Sequence, residues 1–156
     1  MVVLINYLSQ DQINEITEYI NIYRRKHHSY DMTYNSTISK TSQNWSNYLI
    51  KTKSFKHSNN KTYGENLSMF RGYKNNIISL IKKSIDLWYD EVKYYDFDKS
   101  EYNSQSGHFT ALVWNNSNEF GIGYTYNTIN KSAVIVMNMY KPGNIIGLFK
   151  ENVFPI

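Results

Sequence analysis

Apolar residues recur along this chain in two rhythms, a three-to-four-residue one through its first two thirds and a two-residue one near its end. Ser9 opens a Ser-Xaa-Xaa-Gln capping box closed by Gln12, and Ile13, Ile16, Ile20 and Tyr23 follow on one stripe, which predicts a first helix to about Lys26. Arg24, Arg25, Lys26, His27 and His28 fall where positive charge complements the carboxyl end of that helix. We expect that role of the histidine pair rather than metal ligation, because neighbours on a helix point apart. Asn35 or Ser36 caps a second helix to near Lys53, with Ile38, Trp45, Tyr48 and Leu49 on its core face and serines and asparagines opposite. Asn75 or Asn76 caps a third, in which Ile77, Ile81, Ile85 and Trp88 form the stripe. Glu91 falls on the same stripe beyond Trp88, so its carboxylate needs a partner.

The two-residue rhythm predicts strands at Phe120 to Tyr126 and Ala133 to Tyr140, joined as an antiparallel hairpin by Asn127 to Ser132. The second strand is apolar on both faces, with Ala133, Ile135, Met137 and Met139 on one and Val134 and Val136 on the other. A strand covered on both sides implies a small sheet between helical layers. Lys141-Pro142-Gly143-Asn144 suits a type II turn. Three stretches follow neither rhythm. Phe55 to Asn60 is polar and leaves His57 in a loop, open to act as ligand or proton carrier. Tyr63-Gly64-Glu65-Asn66-Leu67 puts Glu65 ahead of a short apolar turn holding Leu67, Met69 and Phe70. Gly107-His108-Phe109-Thr110-Ala111-Leu112-Val113-Trp114 mounts a histidine on an apolar support, read as one packed turn or strand.

Composition narrows the setting. A chain of 156 residues is expected to form one domain, residues 1–156, with a core large enough to need no staples. There is no cysteine, so no disulfide supports it. The N-terminal run Met1 to Ile5 lacks the basic start and longer apolar region of a secretory signal, and Val2 stands where myristoylation requires glycine. No apolar run reaches membrane-spanning length, so we expect an intracellular protein, cytoplasmic or peripheral on membranes. Six Asn-Xaa-Ser/Thr sequons are then chance, in a composition rich in Asn, Ile, Lys and Tyr that suits AT-rich coding. The net charge of +4 is spread over scattered lysines; it fits a solvated face or anionic lipid and gives no specific nucleic-acid signature.

The candidate chemistry is His57, Glu65, Glu91 and His108. Two neutral imidazoles suit a borderline metal such as zinc, and the glutamates could ligate it, orient the imidazoles from behind, or act as general base. Equally, the four could satisfy one another across a cleft through charge-assisted hydrogen bonds. Walker, dinucleotide, His-Glu-Xaa-Xaa-His and Gly-Xaa-Ser-Xaa-Gly motifs are absent, and no cysteine nucleophile exists.

Gly107 to Ser117, reading Gly-His-Phe-Thr-Ala-Leu-Val-Trp-Asn-Asn-Ser, resembles the first signature of the CAP superfamily of cysteine-rich secretory proteins, antigen 5 and pathogenesis-related 1 proteins. His57-Ser58, Tyr63 to Leu67, Trp88 to Glu91, Tyr95 to Phe97, Tyr140 to Asn144 and Glu151 to Val153 resemble its other segments in order, so the likeness runs from about Ile13 onward. The chain is similar to the cysteine-poor intracellular branch, that of the Golgi-associated plant pathogenesis-related proteins. It departs in having Val2 and in a Pro142-Gly143 turn one residue shorter. The resemblance implies an α+β fold, a three-layer α-β-α sandwich around a mainly antiparallel sheet, with the family's cleft tetrad at His57, Glu65, Glu91 and His108. It also implies a non-enzymatic protein that binds lipid, sterol or protein partners, holds zinc through His57 and His108, and leaves a homodimer open. The alternative is a metal-dependent peptidase or esterase, with zinc-bound water as nucleophile and Glu65 or Glu91 as general base.

Overall fold

In a computed structural model the described residues are 3–5, as strand backbone only, and 7–156; Met1, Val2 and Asn6 lie outside them, and with them the expectations about the N-terminal signal and myristoylation. The elements run β1 (Val3–Ile5), α1 (Gln10–Lys26), β2 (Thr33–Tyr34), α2 (Ser36–Thr52), β3 (Gly64–Arg71), α3 (Ile77–Asp90), a 3-10 turn (Glu91–Tyr94), α4 (Gly107–Val113), β4 (Glu119–Asn127) and β5 (Ser132–Tyr140). The Ser9 capping box, with Gln12 reciprocating, starts α1, while Asn35 and Asn76 cap α2 and α3 through their side chains.

The sheet is ordered β1-β4-β5-β3 with antiparallel neighbours, and β2 adds a short parallel pairing to β4. The alternation expected in β5 holds. Ala133, Ile135, Met137 and Met139 enter the large core with α1, α3 and α4, whereas Val134 and Val136 meet Leu49 and Ile50 of α2 on the other side. The result is the three-layer α-β-α arrangement.

The packing of α2 differs from its expected orientation. Ser39, Ser42 and Ser46 turn to the sheet and are buried, while Tyr48 is exposed and stacks with Trp45 at the rim. The reason lies in β4: a Cβ on Gly121 would stand 2.2 Å from the Ser39 nitrogen, and one on Gly123 would stand 2.3 Å from the Ser42 carbonyl carbon. Helix backbone and strand backbone touch there, and only small side chains fit between them. Ser39 Oγ and Gln43 Oε1 accept the Ile122 and Tyr124 amides, so the helix also satisfies this part of β4.

The basic end of α1 is likewise not a solvated cap throughout. Arg24 is fully buried and donates to the carbonyls of Tyr30, Leu112, Trp114 and Ser117, pinning α1 to the last turn of α4 and the segment after it. Burial lowers its pKa to about 10, with Asp31 working the other way. His27 is also buried. Its Nδ1 lies 2.7 Å from the Phe154 carbonyl and its Nε2 2.9 Å from the Tyr89 hydroxyl. A carbonyl only accepts, so Nδ1 carries the proton and Tyr89 donates to Nε2. Burial pushes the imidazole pKa down, and His27 is a neutral core residue rather than a dipole cation.

Two further segments depart from expectation. Leu67, Met69 and Phe70 lie in strand β3, not in a turn, and the stretch from Gly107 is the seven-residue helix α4 rather than one packed turn or a strand. The tight turn is not at Pro142-Gly143 either. It closes at Ile145–Leu148, with Gly147 at φ +88° and a 3.0 Å bond from the Leu148 amide to the Ile145 carbonyl. Gly143 instead lies flat on Trp114, where a Cβ would be 2.8 Å from the indole Cγ.

Candidate functional site

Both histidines line one small cleft of about 200 Å³, together with Glu65, Asn66, Tyr102, Ser104, Gly107 and Asn144. Each imidazole is paired with a carboxylate, Glu65 in the lining and Glu91 behind His108 outside it, and each pair is mounted on a different layer.

His57 leaves α2 on the connecting loop and is more than half exposed. Its Nδ1 sits 2.9 Å from Oε1 of Glu65, which β3 carries. Glu65 also accepts from the Ser58 amide at 2.9 Å, the Ser58 hydroxyl at 2.6 Å and Asn138 Nδ2 at 3.2 Å. Burial on its own raises this carboxyl's pKa, but the bonds from Ser58, His57 and Asn138 outweigh it and hold Glu65 below the usual carboxylate range. Asn138 is itself fixed from α2, its Oδ1 accepting the Ser42 hydroxyl at 2.8 Å.

His108 opens α4. Its Nδ1 lies 2.7 Å from Oε2 of Glu91, while Oε1 accepts the amides of His108 at 2.9 Å and Phe109 at 3.3 Å. Glu91 therefore does two jobs: it satisfies amides at the start of α4, where no side chain of the helix's own cap does so, and it orients the first imidazole. The helix α3 ends at Asp90, so Glu91 reaches this position from the 3-10 turn and is about one-fifth exposed, partnered as expected though not deeply buried. Trp88 stacks on His108 with ring centroids 6.3 Å apart, and its indole N–H donates to the Leu67 carbonyl. Phe109, Leu112, Val113 and Trp114 are buried to 1% exposure or less and anchor α4 in the core. Asn66 and Asn144 complete the mount by donating to the carbonyls of His108 and Gly107.

An ionised carboxylate only accepts, so in each pair Nδ1 carries a proton, and the ring in its neutral form keeps its lone pair on Nε2. Among the described residues neither Nε2 has a protein hydrogen-bond partner. A carboxylate behind each imidazole, fixing tautomer and ring orientation, is the arrangement found at metal-ligating histidines. Among the described residues no three His, Asp or Glu side chains converge on one point, so the glutamates stand behind the imidazoles rather than beside them.

The four residues singled out from the sequence thus gather as two pairs, three of them lining one cleft and Glu91 bonded to His108 from behind. Ser58, Asn138, Trp88, Asn66 and Asn144 hold them there and were not anticipated as part of the site. Asn138 did leave a signal, as a lone amide interrupting the apolar run of β5.

The family model of the cysteine-rich secretory protein (CAP) family matches residues 17–139. The chain belongs to the CAP family. It is 33% identical over 147 residues to human Golgi-associated plant pathogenesis-related protein 1, covering 91% of this chain and 92% of that one. A probable pathogenesis-related protein of Candida albicans is 44% identical over 104 residues, and protein PRY2 of Saccharomyces cerevisiae 30% over 125 residues. This CAP chain spans less than half of those two fungal relatives, 45% and 35% of their lengths. A crystal structure of NaASP2 with Zn2+ superposes with a TM-score of 0.72 over 96% of this chain and 88% of that one, at 18% identity, which establishes the shared fold.

Proposed function

We propose that this CAP chain, taken as one domain over residues 1–156, is a non-enzymatic binding protein whose cleft holds zinc through His57 and His108. The observation that carries the reading is the pair of Nδ1–carboxylate bonds, which leave two Nε2 lone pairs without protein partners on one cleft. The NaASP2 structure with Zn2+ supports it by likeness of fold. The imidazoles and their glutamates fit a borderline cation, and two protein ligands leave coordination positions for water or an exogenous group. When bound, the metal supplies a Lewis-acidic centre that recruits a ligand. The chain's own residues hold the imidazoles in one tautomer and orientation.

The hydrolase alternative needs a carboxylate free to take a proton from water. Glu65 accepts four hydrogen bonds and Glu91 three, which weighs against either as general base. Lipid, sterol or protein partners belong on surfaces outside the cleft, whose 200 Å³ is below the roughly 300–1,000 Å³ of pockets that enclose drug-sized ligands. No helix among the described residues is long and apolar enough to cross a membrane. The relative named as Golgi-associated supports placing this chain inside the cell, peripheral to membranes.

Zinc calorimetry on the wild type and a His57→Ala, His108→Ala double variant tests the metal reading. Binding is expected in the first and lost in the second, weakening as pH falls because protons compete for the same nitrogens. An unchanged zinc isotherm in the double variant sinks the reading.

A further inference from the structure

Tyr102 lies in the loop between the 3-10 turn and α4, half exposed, with its ring tilted against Phe149 at a centroid distance of 6.3 Å. Its phenol overhangs the residue before His108: a Cβ on Gly107 would be 3.6 Å from Tyr102 Cε2 and 3.7 Å from its hydroxyl. Those are ordinary contact distances, so the ring packs over position 107 without needing a glycine there. Among the described residues the hydroxyls of Tyr102 and Ser104 make no hydrogen bond to the protein, although both residues line the cleft with the two imidazoles. Other polar groups of that lining are engaged. Asn66 and Asn144 donate to backbone carbonyls, and Glu65, the one acidic residue of the lining, accepts four bonds and faces His57 and Ser58.

What remains open to a ligand is therefore two Nε2 lone pairs and two hydroxyl donors, in a space too small for a lipid chain or a sterol. Resting on the metal reading above, we propose that Tyr102 sets the ligand preference of the cleft. Its hydroxyl, with that of Ser104, donates to a small oxyanion, a carboxylate or a phosphate monoester, one of whose oxygens fills an open position on the imidazole-held metal. The chemistry fits from both sides. A cation held by two neutral ligands attracts an anionic oxygen, and the oxyanion's remaining oxygens need donors, which the two hydroxyls supply.

The test uses full-length protein loaded with zinc and freed of excess metal, comparing wild type with Tyr102→Phe, which removes one oxygen and keeps the ring on Phe149. Calorimetry with zinc should give the same affinity for both, and thermal melts of the metal-free proteins should coincide. Titration of the zinc-loaded proteins with acetate and with methyl phosphate should show anion binding weakened about tenfold in the variant, the loss of one hydrogen bond to a charged group. The tighter of the two anions names the source, carboxylate or phosphate. Equal anion affinity in wild type and variant overturns the assignment of Tyr102, as does a wild type that binds zinc but neither anion. Failure to bind zinc appears in the first titration and overturns the metal reading itself.

Discussion

Replacing Glu91 by glutamine separates what this carboxylate does for the fold from what it does for the cleft. Of its three accepted bonds, the two from the His108 and Phe109 amides go to Oε1, which an amide oxygen replaces without loss of geometry. The third, from His108 Nδ1 to Oε2 at 2.7 Å, meets an NH2 group instead, and two donors then face each other. The pair recovers if the imidazole moves its proton to Nε2 and accepts from the glutamine, but that removes the lone pair from the nitrogen facing the cleft. The folding loss is one charge-assisted bond at a partly exposed position, about 1–2 kcal/mol. The binding loss is larger in proportion: zinc affinity should fall about 10–100-fold, the effect typical of altering the group behind a metal-bound imidazole. Competition with a chromophoric chelator measures the affinity, urea unfolding the stability, and nitrogen-15 NMR of the imidazole the tautomer. Zinc affinity within twofold of wild type, with His108 still protonated on Nδ1, would refute the reasoning.

Two further predictions concern the fold. Gly123→Ala forces a methyl group to 2.3 Å from the backbone of α2, so helix and sheet must part; we expect a loss of about 3 kcal/mol or more in urea unfolding, and a loss below 1 kcal/mol would contradict the close contact described. His27 gives a pH dependence whose sign follows from its lowered pKa. The native state disfavours the proton that the unfolded chain binds at a histidine pKa of about 6.5, so stability is whole above that value and declines as pH drops toward the lower folded one. Unfolding midpoints should fall between pH 7.5 and 5, with a flatter profile in a His27→Gln variant even though it is less stable throughout; equal slopes would refute the account.

The parts legible in the sequence were those where one element carries its own signal. The caps at Ser9, Asn35 and Asn76 and the two faces of β5 needed no distant partner to be read. What stayed hidden depends on residues far apart in the chain. In β3 the alternation is masked because Asn66 and Ser68 face the large core as polar residues, bonded to His108 and Ser84. In α4 no stripe appears because Phe109 to Val113 are buried on every side, and Glu91 satisfies amides at its start. The serine face of α2 looked solvent-facing because Gly121 and Gly123, which make room for it, lie some eighty residues away. The four candidate residues could be named from the sequence, but their grouping into two Nδ1–carboxylate pairs came only with the geometry.

The two pairs hang from different layers. His57 and Glu65 are tied through Asn138 to the sheet and to α2, whereas His108 and Glu91 belong to the helices on the opposite face. An ion shared between the imidazoles would act as a rivet through the sandwich, in a chain that has no disulfide to do so. Whatever binds only the folded form raises its stability as the logarithm of its concentration over the dissociation constant. The spacing of the imidazoles is set in turn by how α4 seats against β3, where Asn66 holds the His108 carbonyl and Glu65 holds His57.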